Sequence, residues 1–83
     1  MNIVVLTPEK EVYTGEAKAV NVPGTSGQFE VLNGHAPIVS SLMTGKVKLT
    51  LVDDSIKTFA IDRGFIEVLR NEVSLLVQGY VEE

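Results

Sequence analysis

The chain has no cysteine and no tryptophan, one histidine and three prolines among 83 residues. Without cysteine, no disulfide can staple the fold and no thiolate can hold a metal. A lone His35 excludes a metal site built from clustered imidazoles. Basic residues are few as well. Lys10, Lys18, Lys46, Lys48, Lys57, Arg63 and Arg70 are scattered, and the net charge is −4. Nucleic-acid binding needs a concentrated positive footprint to displace counterions, so that class of function is set aside. No apolar run approaches the roughly 18 residues of a membrane span. Met1–Leu6 has neither the basic start nor the apolar length of a secretion signal.

What is present is apolar and strand-like. Hydrophobic residues make up 45 % of the chain. A domain this small buries only about 60–65 % of its unfolded surface. The surplus leaves two readings open: a tight core that absorbs all of it, or apolar surface covered by something other than the chain itself. No window keeps apolar residues at helical spacing, and turn signals recur about every 8–12 residues along the chain. That pattern predicts one all-β domain over residues 1–83, a flattened sandwich or barrel.

In chain order, Asn2–Leu6 reads as a strand buried on both faces, broken at Pro8. Val12–Thr14 resumes extended structure, and Gly15 marks a bulge or tight turn. Over Glu16–Val22, Ala17 and Ala19 point one way while Lys18, Val20 and Val22 point the other. Pro23–Gly27 reads as a loop. Phe29 and Val31 share one face of the next strand, and Asn33-Gly34 is a tight-turn pair. Lys46–Leu51 alternates most cleanly, placing Val47, Leu49 and Leu51 in the core. Asp53–Ser55 is a hairpin turn. Ile56–Ile61, Phe65–Leu69 and Val73–Val77 follow as strands, with a turn over Arg70–Glu72. Ile61 and Leu75 belong to the core, and Tyr80–Glu83 is a tail.

Three places invite a chemical reading. His35 has the residue type of a general base, but only scattered partners such as Ser40 and Ser41 accompany it, so packing at a turn or contact surface is preferred. Gly24-Thr25-Ser26-Gly27 resembles a phosphate cradle. Such cradles lead into a helix with a nearby lysine, whereas Gln28–Val31 alternates like strand and no lysine follows until Lys46. Asp53-Asp54 offers two carboxylates, too few ligands for a cation. The residues alone describe an acidic all-β interaction module with no catalytic constellation.

One stretch carries more than generic strand and turn. Thr7-Pro8-Glu9, Val22-Pro23-Gly24 with Gly27, Gly34-His35-Ala36-Pro37, Leu42, Gly45-Lys46-Val47, Gly64-Phe65-Ile66-Glu67-Val68 and Val73-Ser74-Leu75-Leu76 occur in one register over the whole chain. In these blocks the sequence resembles the N-terminal domain of the epsilon subunit of F-type ATP synthases. The resemblance implies a flattened β-sandwich of about ten short strands. It also implies a non-catalytic subunit of the central rotor stalk, without cofactor, that links the gamma subunit to the membrane c ring in proton-driven ATP synthesis. It places the protein on the cytoplasmic face of a bacterial inner membrane, attached only through the complex. By position, Thr7, His35, Ala36 and Ser40 are implied to face gamma, and Thr25, Ser26, Gly27 and Gln28 to face the c ring. Asn33 stands where the family usually has proline, Glu30 where glycine is common, and Gln28 where an acidic residue is frequent. Family members typically continue into a C-terminal helical hairpin, and this chain stops at Glu83. Hairpin-based inhibition of ATP hydrolysis and ATP binding are therefore not expected. The alternatives are a free-standing β-sandwich interaction module and a small enzyme using His35.

Overall fold

The computed structural model describes residues 1–83, and every element is a strand. These are β1 (Asn2–Leu6), β2 (Glu11–Gly24), β3 (Gly27–Leu32), β4 (Ile38–Leu42), β5 (Gly45–Leu51), β6 (Ile56–Ile61), β7 (Arg63–Leu69), β8 (Glu72–Gln78) and β9 (Val81–Glu82). They form one continuous sheet in the order β1-β8-β7-β4-β2-β5-β6-β9, with β3 beside β2 and β1 also paired to β2. The sheet folds over on itself. One layer holds β1, β8, β7 and β4. The other holds β3, β5, β6, β9 and the second half of β2.

β2 explains the difference between nine strands and the expected ten or so. It is 14 residues long and serves both layers. Its first half pairs antiparallel with β1, Asn2 opposite Glu16 and Val5 opposite Tyr13. Its second half pairs with β5 and β3, Val20 opposite both Leu49 and Val31. The register with β5 slips between Ala17 and Ala19, a bulge centred on Lys18. A bulge shifts the two-residue period by one. Ala17 is therefore buried before it, while Val20 and Val22 are buried after it. The expected regular alternation over Glu16–Val22 is corrected accordingly, and Gly15 is no bulge: it pairs directly with Ile3.

Other expectations also change. β1 is not buried on both faces. Ile3 and Val5 are buried, Val4 and Leu6 half-buried and Asn2 exposed, because the outward side of this layer is uncovered. Pro23 and Gly24 lie within β2 and Gly27 begins β3, which reduces the expected loop to the two residues Thr25 and Ser26. Arg63 and Gly64 belong to β7, and Glu72 to β8. The turn between those strands is the pair Arg70-Asn71, both at positive φ, the twist that closes a two-residue hairpin. Tyr80–Glu83 is no free tail. Val81 pairs with Ala60, and the Tyr80 ring lies 4.9 Å from that of Phe59.

The core is a single cluster of 17 buried residues drawn from both layers. Val47, Leu49, Ile61 and Leu75 are buried as expected. Leu51 is only half-buried, because it ends β5 where the backbone turns outward to bond Ser55. The core does not absorb the whole apolar surplus. The core is tight, yet Leu32, Val39, Met43, Val52, Ile56, Phe65, Leu69, Leu76 and Val81 remain exposed.

Gly64 lets β7 and β8 approach. A Cβ there would collide with the Leu76 carbonyl oxygen, a main-chain atom fixed in the ladder. Gly64→Ala is expected to cost about 1–3 kcal/mol by overpacking, read from urea unfolding midpoints. A loss below about 0.5 kcal/mol, the range of neutral surface changes, would show that the two strands separate without strain.

Candidate functional site

The residues singled out from the sequence fall into two groups at opposite ends of β4, in the β1-β8-β7-β4 layer and against its edge. The Thr25–Gln28 hairpin tip is exposed. It is fastened to β4 by the Thr25 N–H, which donates to the Ser41 carbonyl (3.2 Å), and by the Met43 N–H, which donates to the Pro23 carbonyl (2.8 Å). Both of its arms are strands, so the tip delivers nothing to a helix N-terminus and the phosphate-cradle reading loses its geometry. Thr7 lies in the same layer, at the end where β4 finishes. Its N–H donates to the Lys10 carbonyl (2.9 Å) and its Oγ1 accepts from the Lys10 N–H (3.2 Å), closing the Pro8-Glu9 turn.

His35 and Ala36 lie beyond the other end of β4. The His35 N–H donates to the Leu32 carbonyl (3.1 Å), closing a turn in which Gly34 adopts φ +80°. That conformation suits glycine, which has no Cβ to clash. Asn71, at the tip of the β7–β8 hairpin, stitches this turn down. Its Oδ1 accepts from the Gly34 N–H (3.0 Å), and its Nδ2 donates to Asn33 Oδ1 (3.1 Å). The Met1 amino group donates to the same Asn33 oxygen (2.8 Å). The residue that departs from the family's proline thus joins three segments through its side chain. The half-buried His35 ring places Nδ1 2.6 Å from the Ala36 carbonyl, which puts the proton on Nδ1. The ring is tied to main chain, not to a carboxylate or a nucleophile. Ser40 sits between the groups, in the inward row with Ile66 and Leu75, and its hydroxyl donates to the Ser41 carbonyl (3.2 Å).

Thr7, His35, Ala36 and Ser40 therefore form no single cluster. The five residues of β4 cover about 13 Å, and three strand spacings of about 4.8 Å separate β1 from β4. The acidic hairpin is likewise occupied. Lys18 pairs with Asp54, and the Ser55 hydroxyl and N–H both donate to Asp53, which holds that exposed carboxyl below its usual range.

Sequence reasoning missed the outward side of the β1-β8-β7-β4 layer. The pairing places Leu6, Leu76, Phe65 and Ser41 in one row across four strands, and Val4, Ser74, Glu67 and Val39 in the next. Phe65 is 55 % exposed and Leu76 50 %. Beside this row runs a groove of about 790 Å³. The apolar surplus signalled such a surface without locating it; the local signal was that Phe65 and Leu76 fall out of phase with the buried residues of their own strands.

The family described as ATP synthase, Delta/Epsilon chain, beta-sandwich domain matches residues 1–83. A protein of Chlorobaculum tepidum named ATP synthase epsilon chain is 46 % identical over 74 residues, covering 89 % of this chain and 84 % of that protein. Its counterpart in Campylobacter fetus is 40 % identical over 81 residues, covering 98 % of this chain but only 63 % of that protein. Among solved structures, a chain of the Euglena gracilis mitochondrial ATP synthase (OSCP/F1/c-ring) superposes with a TM-score of 0.91 at 18 % identity. That match covers 96 % of this chain and 51 % of that one, and it speaks for the fold. A chain of the Tetrahymena thermophila mitochondrial enzyme, from its central stalk and c ring, gives 0.83 at 16 % identity. With its full length matched and its strands superposed, the chain belongs to the β-sandwich family of ATP synthase delta and epsilon chains.

Proposed function

We propose that this chain is a structural, non-catalytic coupling subunit of the central rotor stalk of an F-type ATP synthase. It links the gamma subunit to the membrane c ring on the cytoplasmic face of a bacterial inner membrane, and it is held at the membrane through the complex. The observation that carries this reading is the 46 % identity over most of the length of a protein named ATP synthase epsilon chain. The geometry agrees in kind: a rigid sandwich with exposed turns at both ends of one layer and an uncovered apolar side suits a part that is gripped. In this reading Thr7, His35, Ala36 and Ser40 contact gamma, which then touches the layer along its length and reaches the half-buried Ser40 at the open edge of β4. Thr25, Ser26, Gly27 and Gln28 face the c ring.

The test is calorimetric titration of the chain into purified gamma from the same source. Tight association is expected. His35→Ala and Ser40→Ala should each weaken it by about tenfold, the loss of a well-packed contact, with an unchanged far-ultraviolet spectrum. Replacing Thr25 and Ser26 by glycine should leave gamma binding intact and loosen attachment to c-ring preparations. Two folded proteins that do not associate would overturn the stalk reading.

A further inference from the structure

The groove beside the Leu6–Leu76–Phe65 row holds one charge, Arg63, that the stalk reading does not use. Three apolar side chains lie in register on β1, β8 and β7, with Ser41 of β4 closing the row. Three strand spacings make that row about 14 Å long, enough for an alkyl chain of medium length. Arg63 lies two residues before Phe65 on the same face of β7. Its Nε donates to Gln78 Oε1 (2.8 Å), which fixes the guanidinium at the groove's end. Arg63 joins none of the chain's three ion pairs. Among the 11 residues lining the groove it is the only ionisable one, so a cation stands over an apolar floor with no anion to answer it.

We propose that this groove binds a single-chain amphiphile with one anionic head, a medium-chain fatty carboxylate. The alkyl chain lies on Leu6, Leu76 and Phe65, and the carboxylate meets the free edge of the Arg63 guanidinium, a geometry that supports paired charge-assisted hydrogen bonds. Ser41 and Thr7 belong to the same lining. A volume of about 790 Å³ lies within the range of small-molecule sites. An extended peptide fits less well. β1, β8 and β7 are each paired on both sides, so the floor presents no strand edge and an added backbone would find no ladder to join. An alkyl chain brings no such polar groups.

The experiment is titration of the 83-residue chain with decanoate below its micelle concentration, followed by amide chemical shifts and by calorimetry. Saturable binding is expected, with the largest shifts at Leu6, Ser41, Phe65 and Leu76. Arg63→Gln, an exposed change, should weaken binding by about tenfold, and neutral decanol should bind more weakly than decanoate by a similar factor. Leu76→Ser should weaken both ligands. Absence of saturation, shifts confined to other faces, or equal affinity for decanol would each overturn the proposal. If decanoate does not bind and Arg63→Gln and Leu76→Ser weaken association with gamma instead, the face is a protein interface. That outcome would leave the stalk reading standing while removing this one.

Discussion

Phe59→Ala should bring the domain close to unfolding at ordinary temperature. Phe59 is fully buried in β6, between the core and the Tyr80 ring. Removing a buried phenylalanine ring costs about 3–5 kcal/mol. A chain of this length has roughly 4–12 kcal/mol in total by per-residue scaling. The melting temperature should therefore fall by roughly 12 °C or more, given about 4 °C per kcal/mol in a domain of this size. The damage should also have a local signature. Tyr80 and the two residues of β9 are held by the ring contact, by pairing to Phe59 and Ala60, and by exposed ion pairs such as Lys57 with Glu82. Exposed pairs contribute little. Hydrogen exchange at Glu83, whose N–H donates to the Thr58 carbonyl (3.2 Å), should accelerate even in molecules whose other strands stay protected. A drop of only a few degrees, with Glu83 still protected, would show that Phe59 can be replaced by collapse of its neighbours.

Leu49→Ala is the second large loss. Leu49 is fully buried at the centre of β5, opposite Val20 of β2 and Lys57 of β6. Both neighbouring strands are pinned, so the space left behind cannot close easily, and about 2–5 kcal/mol is expected. Leu51→Ala supplies the control within the same strand. Leu51 is half-buried at the rim, and its truncation should cost well under half as much. Equilibrium urea unfolding of the two variants decides the matter. If Leu51→Ala proves the more damaging, the assignment of the inward face of β5 fails.

The sequence carried most of the strands because local alternation is a local property. Lys46–Leu51 shows it without interruption, and the Asn33-Gly34 and Asp53–Ser55 turns announce themselves by residue type. What escaped was set at a distance. The slip at Lys18 depends on how β2 meets β5, some thirty residues later in the chain. Val81 and Glu82 became a strand because Phe59 and Ala60 offered an edge. Asn33 read as a departure from a family pattern, and its role becomes visible only beside Asn71 and Met1. The apolar row joins positions 6, 76, 65 and 41, an order that only the parallel pairing of β1 with β8 and the two antiparallel pairings beyond it produce. The candidate contact residues were named through family resemblance, and the structure shows them to be spread over a length, not gathered at a point.

The double membership of β2 has a mechanical meaning. Two layers joined only by side-chain packing can slide past each other under torque. Here one covalent strand is hydrogen-bonded to β1 in one layer and to β5 and β3 in the other. Any slip between layers would have to break a ladder in shear, with many bonds resisting at once. A twist applied at the Thr25–Gln28 tip would therefore pass through the main chain to the far end of the molecule. The domain behaves as a torsionally stiff block with little internal play.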